Sequence, residues 1–190
     1  MASNSLDEYT IYSLNRQGAK LDGYGVGEKL ITSSSTPVFG AVYKLVAVNK
    51  NGEFVPKIKI SETAEKITNP GIKEIYRVYD KSGKAVADYL AVKGEVIEAD
   101  KPVRYIDPIN YWKNRSFVDC TFKTLQKQIF KDGELVYELP KLSDIRNYVR
   151  HQLDNEIWQE EQRFENSHTH YLDMSPAMFE LKMSLLHEND

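Results

Sequence analysis

The chain has 190 residues, of which 41% are hydrophobic and 28% are charged, and its formal net charge is −3. This composition is typical of a globular protein with a sizeable core, and it excludes the strongly basic face of a nucleic-acid-binding protein. No apolar run could span a membrane and no signal-peptide pattern follows Met1, which predicts a cytoplasmic protein. The single cysteine, Cys120, excludes an internal disulfide and a thiolate metal cage.

The segment SLDEYTIYSLNRQGAK predicts the first helix. Ser5 and Glu8 match a capping box, in which both side chains satisfy backbone N–H groups at the start of a helix. Ile11 and Leu14 recur at helical spacing, and Gly18 lies where a left-handed C-cap would end the helix.

The residues 21–24 are too short to be more than a strand end, and the glycine loop Gly25-Val26-Gly27 follows them. The order helix, strand, glycine loop is typical of an α/β unit. Glycines allow a close approach of the backbone to a ligand, and successive N–H groups can form an anion-binding concavity. A plain tight turn explains the same pattern, because a single G-x-G motif is a weak signal. Lys29 follows as a cation that could neutralise a phosphate, or simply lie in solvent.

The middle of the chain predicts an antiparallel sheet. AVYKLVAV and FVPKIKI form a hairpin around 49–52, and EIYRVYD and KAVADYLAV form a second hairpin around 80–83. The Asp132-Gly133 pair in QKQIFKDGELVYELP predicts a third. EVIEA and VRYID are weaker strand candidates.

Two helices are predicted after the sheet. Ser143 is the expected cap of the first helix, and Ser175-Pro176 opens the second, since proline is favoured at the first helical position. The segment NSHTHYLDM lies between the two predicted helices and ends the first of them. One face of the first helix carries apolar residues, namely Ile145, Val149, Leu153 and Ile157.

Three groups of residues in this chain could have a catalytic or binding role, and each also has a simpler structural interpretation. His168 and His170 would face the same side of a strand, as in a metal site, but no third ligand is evident and hydrogen-bonded loop histidines are favoured. Cys120 is interpreted as a small buried apolar group. Ser3, Asn4 and Ser5 could offer hydroxyl, amide and N–H groups to a phosphate or a sugar, although helix capping already accounts for Ser5.

Many collinear segments resemble the nicotinate phosphoribosyltransferase family. ASNSLDEYTIYSLNRQGAKLDGYGVGEKLITS is similar to the last part of that family's catalytic barrel, through its Ser-Asn-x-Leu-Asp-Glu helix start, its Gln-Gly-Ala and its Gly-Val-Gly loop. The segments PVFGAVYKLVAV, PKIKISE, KITNPGIKEIYRVYD, KDGELVYELPKLSDIR and LDMS resemble those that follow. The resemblance covers essentially the whole chain and matches the C-terminal part of longer family members.

The resemblance implies a fold of the α+β or α/β class. The expected parts are the end of a phosphoribosyltransferase α/β barrel with its phosphate loop (1–36), an antiparallel β-rich region (37–140) and a C-terminal helical region (141–190). Without the other barrel strands, apolar residues such as Leu6 and Leu30 would be exposed or repacked. Such exposure favours self-association or pairing with a missing N-terminal half.

The resemblance also implies a reaction, in which nicotinate and phosphoribosyl pyrophosphate give nicotinate mononucleotide in NAD salvage, with ATP and Mg²⁺. The protein must hold the phosphates and orient the sugar while charge develops. The Gly-Val-Gly loop matches the family loop that holds a substrate phosphate, and the Ser-Asn-Ser segment matches the loop near the ribose and its phosphate. The residues carried over are Ser3, Asn4, Ser5, Gly25, Val26 and Gly27.

The match has departures. The family's phosphorylated histidine and its nicotinate site lie upstream of the matched part, and none of the four histidines corresponds to that histidine. Glu28 stands where some members have threonine. No catalytic residue and no ligand for Mg²⁺ or ATP is therefore assigned, and the chain alone is expected to be inactive. A non-catalytic phosphate- or nucleotide-binding module, a structural module and one half of a split enzyme stay open as alternatives.

Overall fold

The computed structural model describes residues 1–38 and 40–187 of the chain. They divide into two compact units, Met1–Tyr43 and Lys44–Asp190, here called the N-terminal unit and the C-terminal unit. The expected mixture of helices and strands is confirmed, while the barrel end expected for the first segment stays a prediction. No helix in the described ranges is long and apolar enough to cross a membrane.

The N-terminal unit contains helix α1 (Glu8–Arg16) and a single helical turn, α2 (Glu28–Ile31). The first helix predicted from the sequence is confirmed, and Gly18 follows its end with a left-handed φ of +78°. The predicted capping box is wrong. The N-cap is Asp7, whose carboxylate accepts the backbone N–H of the third helical residue at 2.7 Å, whereas Ser5 lies earlier in the loop.

The strand end predicted after α1 is confirmed as a single parallel bridge between Tyr24 and Ala2. The apolar residues of this unit have two different environments. Leu6 is buried, with 6% of its surface exposed, while Leu30 is 69% exposed. Leu6 is thus packed inside the unit, whereas Leu30 presents an apolar side chain to solvent.

The C-terminal unit begins with the first predicted hairpin, formed by β1 (Ala47–Lys50) and β2 (Glu53–Pro56). Its turn forms because the Asn49 side chain accepts the N–H of Gly52 at 2.9 Å and Gly52 has a φ of +93°. A short 3₁₀ helix follows at Ala64–Lys66.

A six-stranded sheet forms the centre of this unit, in the spatial order β6-β5-β10-β4-β3-β7. The second predicted hairpin, β3 with β4, is confirmed, and so is the VRYID strand, β5. The third predicted hairpin exists as a separate two-stranded sheet, β8 with β9. The strands are β3 (Lys73–Tyr79), β4 (Ala85–Val92), β5 (Val103–Ile106), β6 (Asn114–Phe117), β7 (Thr121–Thr124), β8 (Phe130–Lys131), β9 (Glu134–Leu135) and β10 (Leu172–Met174).

The strands of the region predicted to be antiparallel, 37–140, pair with one another antiparallel, and the sheet gains one more strand, β10, from outside that region. β10 lies parallel to β4 and antiparallel to β5, which makes the sheet mixed. This strand comes from the NSHTHYLDM segment, which the sequence analysis treats as an interruption between helices. The EVIEA candidate at 95–99 forms no strand.

The two faces of the sheet hold two separate apolar clusters. Helix α4 (Pro176–His187) covers one face, where Met178 packs with Leu90 and Met174. The opposite face carries Tyr89 and its neighbours. Successive side chains of a strand point to opposite faces of the sheet, so Tyr89 and Leu90, which are neighbours in β4, belong to different clusters.

Both predicted C-terminal helices are confirmed, with different starts. The Ser175 hydroxyl accepts the N–H of Met178 at 3.0 Å and so caps α4, as expected. Helix α3 (Leu142–His151) has Lys141 rather than Ser143 as its N-cap residue, and it continues into a π-helical turn, Gln152–Glu156. Its apolar face is roughly half exposed in Ile145, Val149 and Leu153, at 45%, 46% and 42%.

Candidate phosphate site

Two loops of the N-terminal unit lie side by side. Ala2 N–H donates to the Gly23 carbonyl at 3.1 Å, and Gly25 N–H donates to the Ala2 carbonyl at 2.8 Å. These two bonds bring the Ser-Asn-Ser segment next to the Gly-Val-Gly segment, although about twenty residues separate them along the chain. Five of the six residues carried over from the resemblance are exposed here, and Val26 is half-buried.

The two glycines of the loop have different roles. A Cβ added to Gly25 would lie 3.3 Å from the Cβ of Ser3, so glycine allows the two segments to approach closely. A Cβ added to Gly27 would meet no atom within 4 Å, so this position faces open space. Gly27 has a φ of −117°, and its role is therefore not the left-handed turn that a glycine often provides.

The backbone of the first loop is held in an uncommon conformation. Asn4 has a φ of +83° and Ser5 a φ of +49°. Left-handed backbone is uncommon for residues other than glycine, and asparagine tolerates it better than most. In the described part of the chain, the side chains of Ser3, Asn4 and Ser5 have no hydrogen-bond partner, so their polar atoms are available to a ligand.

A charged pair lies beside these loops. The Lys29 ammonium is 2.5 Å from Asp7 Oδ2, and Thr10 donates to Asp7 Oδ1 through its N–H at 2.7 Å and its hydroxyl at 2.6 Å. The bonds from Lys29 and then from Thr10 hold the pKa of Asp7 far below its usual range. Lys29 is thus already paired, which the sequence analysis missed. Aspartate is a favoured N-cap residue, which made Asp7 a candidate cap, but no local pattern indicated its pairing with Lys29, 22 residues later.

The histidines lie in the C-terminal unit, away from these loops in the chain. His170 has Nδ1 at 3.1 Å from Glu161 and Nε2 at 3.3 Å from Asp88, so it bridges two carboxylates. The ring of His168 contacts Tyr171 instead. The favoured interpretation of hydrogen-bonded loop histidines is consistent with these contacts. In the ranges 1–38 and 40–187, no three His, Cys, Asp or Glu side chains form a group that could hold a metal ion.

Cys120 is half-buried on the face of the sheet that carries Tyr89. Its thiol donates to the Val118 carbonyl at 3.3 Å. Burial raises the pKa of the thiol, and nearby Asp80 adds to this shift. A raised pKa disfavours the nucleophilic thiolate, so the contacts agree with a packing role.

Comparison with known proteins gives the family. The family described as "Nicotinate phosphoribosyltransferase C-terminal domain" matches residues 72–182, which is more than half of the chain. The chain belongs to this family. The resemblance described from the sequence segments is confirmed by this match to the nicotinate phosphoribosyltransferase C-terminal domain.

The relatives are much longer than this family member. A nicotinate phosphoribosyltransferase of Bacillus subtilis is 39% identical over 189 residues, which are 99% of this chain and 38% of that protein. One of Caenorhabditis elegans is 32% identical over 191 residues, covering all of this chain and 33% of that protein. The chain therefore spans little more than a third of the length of these relatives.

A solved structure shares the fold. The crystal structure of human nicotinic acid phosphoribosyltransferase superposes with a TM-score of 0.73 at 23% sequence identity. The superposition covers 97% of this chain and 32% of the human one. Both loops of the candidate site lie outside residues 72–182, but the alignment with the Bacillus protein covers nearly the whole chain.

Proposed function

We propose that this chain works as the C-terminal part of a nicotinate phosphoribosyltransferase, a cytoplasmic enzyme of NAD salvage. The observation that carries the proposal is the 39% identity to the Bacillus enzyme over 99% of the chain. In the proposed reaction, the ring nitrogen of nicotinate attacks the anomeric carbon of phosphoribosyl pyrophosphate. The new C–N bond replaces the C–O bond, whose electron pair leaves with pyrophosphate.

The proposed role of the paired loops is to hold the phosphate and the ribose of that substrate. The sugar becomes cation-like in the transition state while an anion departs, so fixed phosphate contacts keep the reacting carbon in line with nicotinate. The hydroxyls of Ser3 and Ser5 and the amide of Asn4 provide donors. The open space at Gly27 leaves room for a phosphate beside the backbone N–H groups of Val26 and Gly27, while the Gly25 N–H holds the two loops together through the Ala2 carbonyl.

Lys29 has an indirect part in this proposal. The Asp7 carboxylate lies 2.5 Å from the Lys29 ammonium and largely neutralises its positive charge. The pair instead links the start of α1 to α2, the two elements that flank the loops. We assign phosphate affinity to the loop donors and a positioning role to Lys29.

The remaining chemistry is assigned outside these 190 residues. ATP coupling, Mg²⁺ and the phosphorylated histidine belong to the reaction implied by the family, and we give none of these roles to a residue of this chain. We therefore propose that the 190 residues alone do not turn over substrate.

The test is a calorimetric titration of phosphoribosyl pyrophosphate with Mg²⁺ into the 190-residue chain. We expect heat of binding that disappears in Gly27→Trp, because the indole fills the space beside the loop. Gly40→Trp is the matched control, since a Cβ at Gly40 also meets no atom within 4 Å. Circular dichroism of both variants verifies that they are folded.

Two results would contradict the proposal. A folded chain that gives no heat, or equal heat in Gly27→Trp, would remove the phosphate role of the loops and leave a structural role. Nicotinate mononucleotide produced by the 190 residues alone would remove the assignment of catalysis to other parts of the enzyme.

A further inference from the structure

The C-terminal unit contains a cavity that the proposed function does not use. It has a volume of about 330 Å³ and opens beside β10, between β4 and the β5–β6 hairpin. Small-molecule sites in proteins usually begin at about 300 Å³. Asp173 pairs with Tyr89 in the register of β10 with β4, so the cavity lies on the face of the sheet opposite α4.

The floor of this cavity is apolar except for one carboxylate. Ala87 and Phe117 are 2% and 8% exposed, and the ring of Tyr105 stacks on Phe117 with centroids 4.2 Å apart. Asp173 is 7% exposed and lines the same cavity. The floor therefore combines flat aromatic surface with one buried acidic group.

The Asp173 carboxylate has no hydrogen-bond donor within the described residues. Burial raises its pKa to about 6, nearby Asp107 adds to the rise, and Arg115 opposes it. Asp173 lines the cavity, and a largely buried acidic group with a raised pKa in a cleft is a candidate functional residue. The oxygens that line the cavity are thus free to accept a hydrogen bond from a ligand.

The rim of the cavity carries the opposite charge. Lys113 and Arg115 are exposed and line its opening. Asp107 also lines it, but its carboxylate already accepts three N–H groups, one from Ile109 and two from Asn110, at 2.8–3.2 Å. A ligand would therefore find an acceptor at the floor and two cations at the rim.

We propose that this cavity binds a nucleoside monophosphate whose base carries an exocyclic amine. The amine donates to Asp173, the base lies against the ring of Tyr105, which itself stacks on Phe117, and the phosphate binds Lys113 and Arg115. This ligand fits because the amine on its flat base and its phosphate lie at opposite ends of the molecule, separated by the ribose. An aromatic amino acid fits worse, since its ammonium and carboxylate share one carbon atom.

The cavity is formed by residues of the C-terminal unit, and the phosphate loops are formed by residues of the N-terminal unit. The inference therefore goes beyond the proposed function and does not depend on it. The two can be distinguished with the same chain, because the loops are blocked by Gly27→Trp while this cavity is altered by changes at Asp173 and Arg115.

The experiment is a calorimetric titration of the 190-residue chain with three ligands. They are AMP, purine riboside 5′-monophosphate (AMP without its amine) and adenosine (AMP without its phosphate). We expect AMP to bind about tenfold more tightly than either analogue, because one charge-assisted hydrogen bond or ion pair is lost in each case. The protein variants are Asp173→Leu, with Asp173→Asn as a second shape-conserving change, and Arg115→Gln.

Asp173→Leu and Arg115→Gln are each expected to reduce one ligand difference and leave the other unchanged. In Asp173→Leu, AMP and its amine-free analogue bind equally, whereas in Arg115→Gln the difference between AMP and adenosine shrinks severalfold. Arg150→Gln, an exposed arginine of α3, is the matched control and leaves all three affinities unchanged. Gly27→Trp also leaves AMP binding unchanged.

Three outcomes would overturn the proposal. The first is that AMP at about 5 mM gives no heat of binding, a concentration at which even a weak ligand would bind. The second is that AMP and its amine-free analogue bind the unmodified chain equally. The third is that Gly27→Trp loses AMP binding. The last result would assign AMP to the phosphate loops, and heat from phosphoribosyl pyrophosphate would still test the proposed function separately.

Discussion

The two units of this molecule are stabilised in different ways. In the N-terminal unit, Leu6 is the buried hydrophobic residue among those the structure describes. Its loops and helices are linked by polar contacts, such as Lys29 with Asp7 at 2.5 Å and Tyr24 with Asn15 at 2.5 Å. The C-terminal unit has instead a six-stranded sheet with an apolar cluster on each face.

This difference shows where each kind of site is built. In the N-terminal unit, the candidate phosphate site consists of loop backbone and short polar side chains, which need little core beneath them. In the C-terminal unit, the cavity beside β10 uses the sheet itself as a floor, and it exposes one acidic group within apolar surface. We expect substitutions in the C-terminal unit to have the larger effects on stability.

The largest effect is expected for Met178→Ala. Met178 is fully buried, and it packs with Leu90 and Met174 beneath α4. Truncating such a side chain leaves a cavity and costs about 2–4 kcal/mol. Urea unfolding followed by the fluorescence of Trp112 and Trp158, both in this unit, measures the change.

The control for Met178→Ala is Leu142→Ala, because Leu142 is 81% exposed at the start of α3. We expect it to change the free energy of unfolding by less than about 0.5 kcal/mol. Equal losses in the two variants would mean that the cluster beneath α4 is not what stabilises the C-terminal unit.

The second largest effect is expected for Asp173→Asn, which should stabilise the fold rather than destabilise it. The folded-state pKa of Asp173 is about 6, against 3.8 for the free side chain, so the folded state binds the proton more tightly. The cost of burying the charge is therefore absent below about pH 3.8 and grows as the pH rises through about 6. We expect the variant to be about 1–2 kcal/mol more stable at pH 7 and unchanged near pH 4.

Asp100→Asn is the matched control for this prediction, since Asp100 is an exposed aspartate in the same unit. Its stability is expected to follow that of the unmodified chain at both pH values. If Asp173→Asn were destabilising at pH 7, the carboxylate would have a donor in solution, and the cavity would lose its acidic floor.

The third effect depends on pH through His170. The contact between His170 Nε2 and the Asp88 carboxylate at 3.3 Å raises the pKa of His170, burial opposes the rise, and Glu161 adds to it. Burial by itself would raise the pKa of Asp88, but its bonds to His170 and Arg77 outweigh burial and lower it. The histidine therefore stabilises the fold fully below about pH 6.5 and loses this contribution as the pH rises through its raised pKa.

We expect His170→Gln to cost about 1 kcal/mol at pH 5.5 and little at pH 9. His187→Gln, at the exposed end of α4, is the control and changes neither value. Thermal unfolding at the two pH values measures both variants. A loss in His170→Gln that is the same at pH 5.5 and pH 9 would show that packing, not charge, accounts for the role of His170.

Elements that depend on local signals could be predicted from the sequence. The turns at Gly52 and at Asp132-Gly133 were predicted because a few adjacent residues determine them. The cap of α1 was misassigned, because Ser5 and Asp7 are both good N-cap residues close together. The choice depends on Thr10 and on Lys29, and Lys29 is distant along the chain.

Long-range pairing could not be predicted. β10 has three residues with Asp173 in the middle, and it forms a strand because it pairs with β4 more than eighty residues earlier. The candidate phosphate site depends in the same way on the bridge between Ala2 and Tyr24. Spacing alone left a tight turn as the simpler explanation of the glycine loop, and the family resemblance joined the two segments. The cavity beside β10 had no local signal at all.

The smallest effect is expected in the N-terminal unit, for Tyr24→Phe. The Tyr24 hydroxyl donates to Asn15 Oδ1 at 2.5 Å and so links the bridged segment to α1. An exposed hydrogen bond of this kind contributes about 0.5 kcal/mol, because water replaces the lost partner. Hydrogen exchange at the N–H groups of Gln17 and Ala19, which bond to carbonyls of α1, measures the change.

Tyr43→Phe, at a fully exposed tyrosine of the same unit, is the control for Tyr24→Phe. A loss as large as that of Met178→Ala would mean that polar contacts stabilise the N-terminal unit as strongly as a core does, and the contrast between the units would fail.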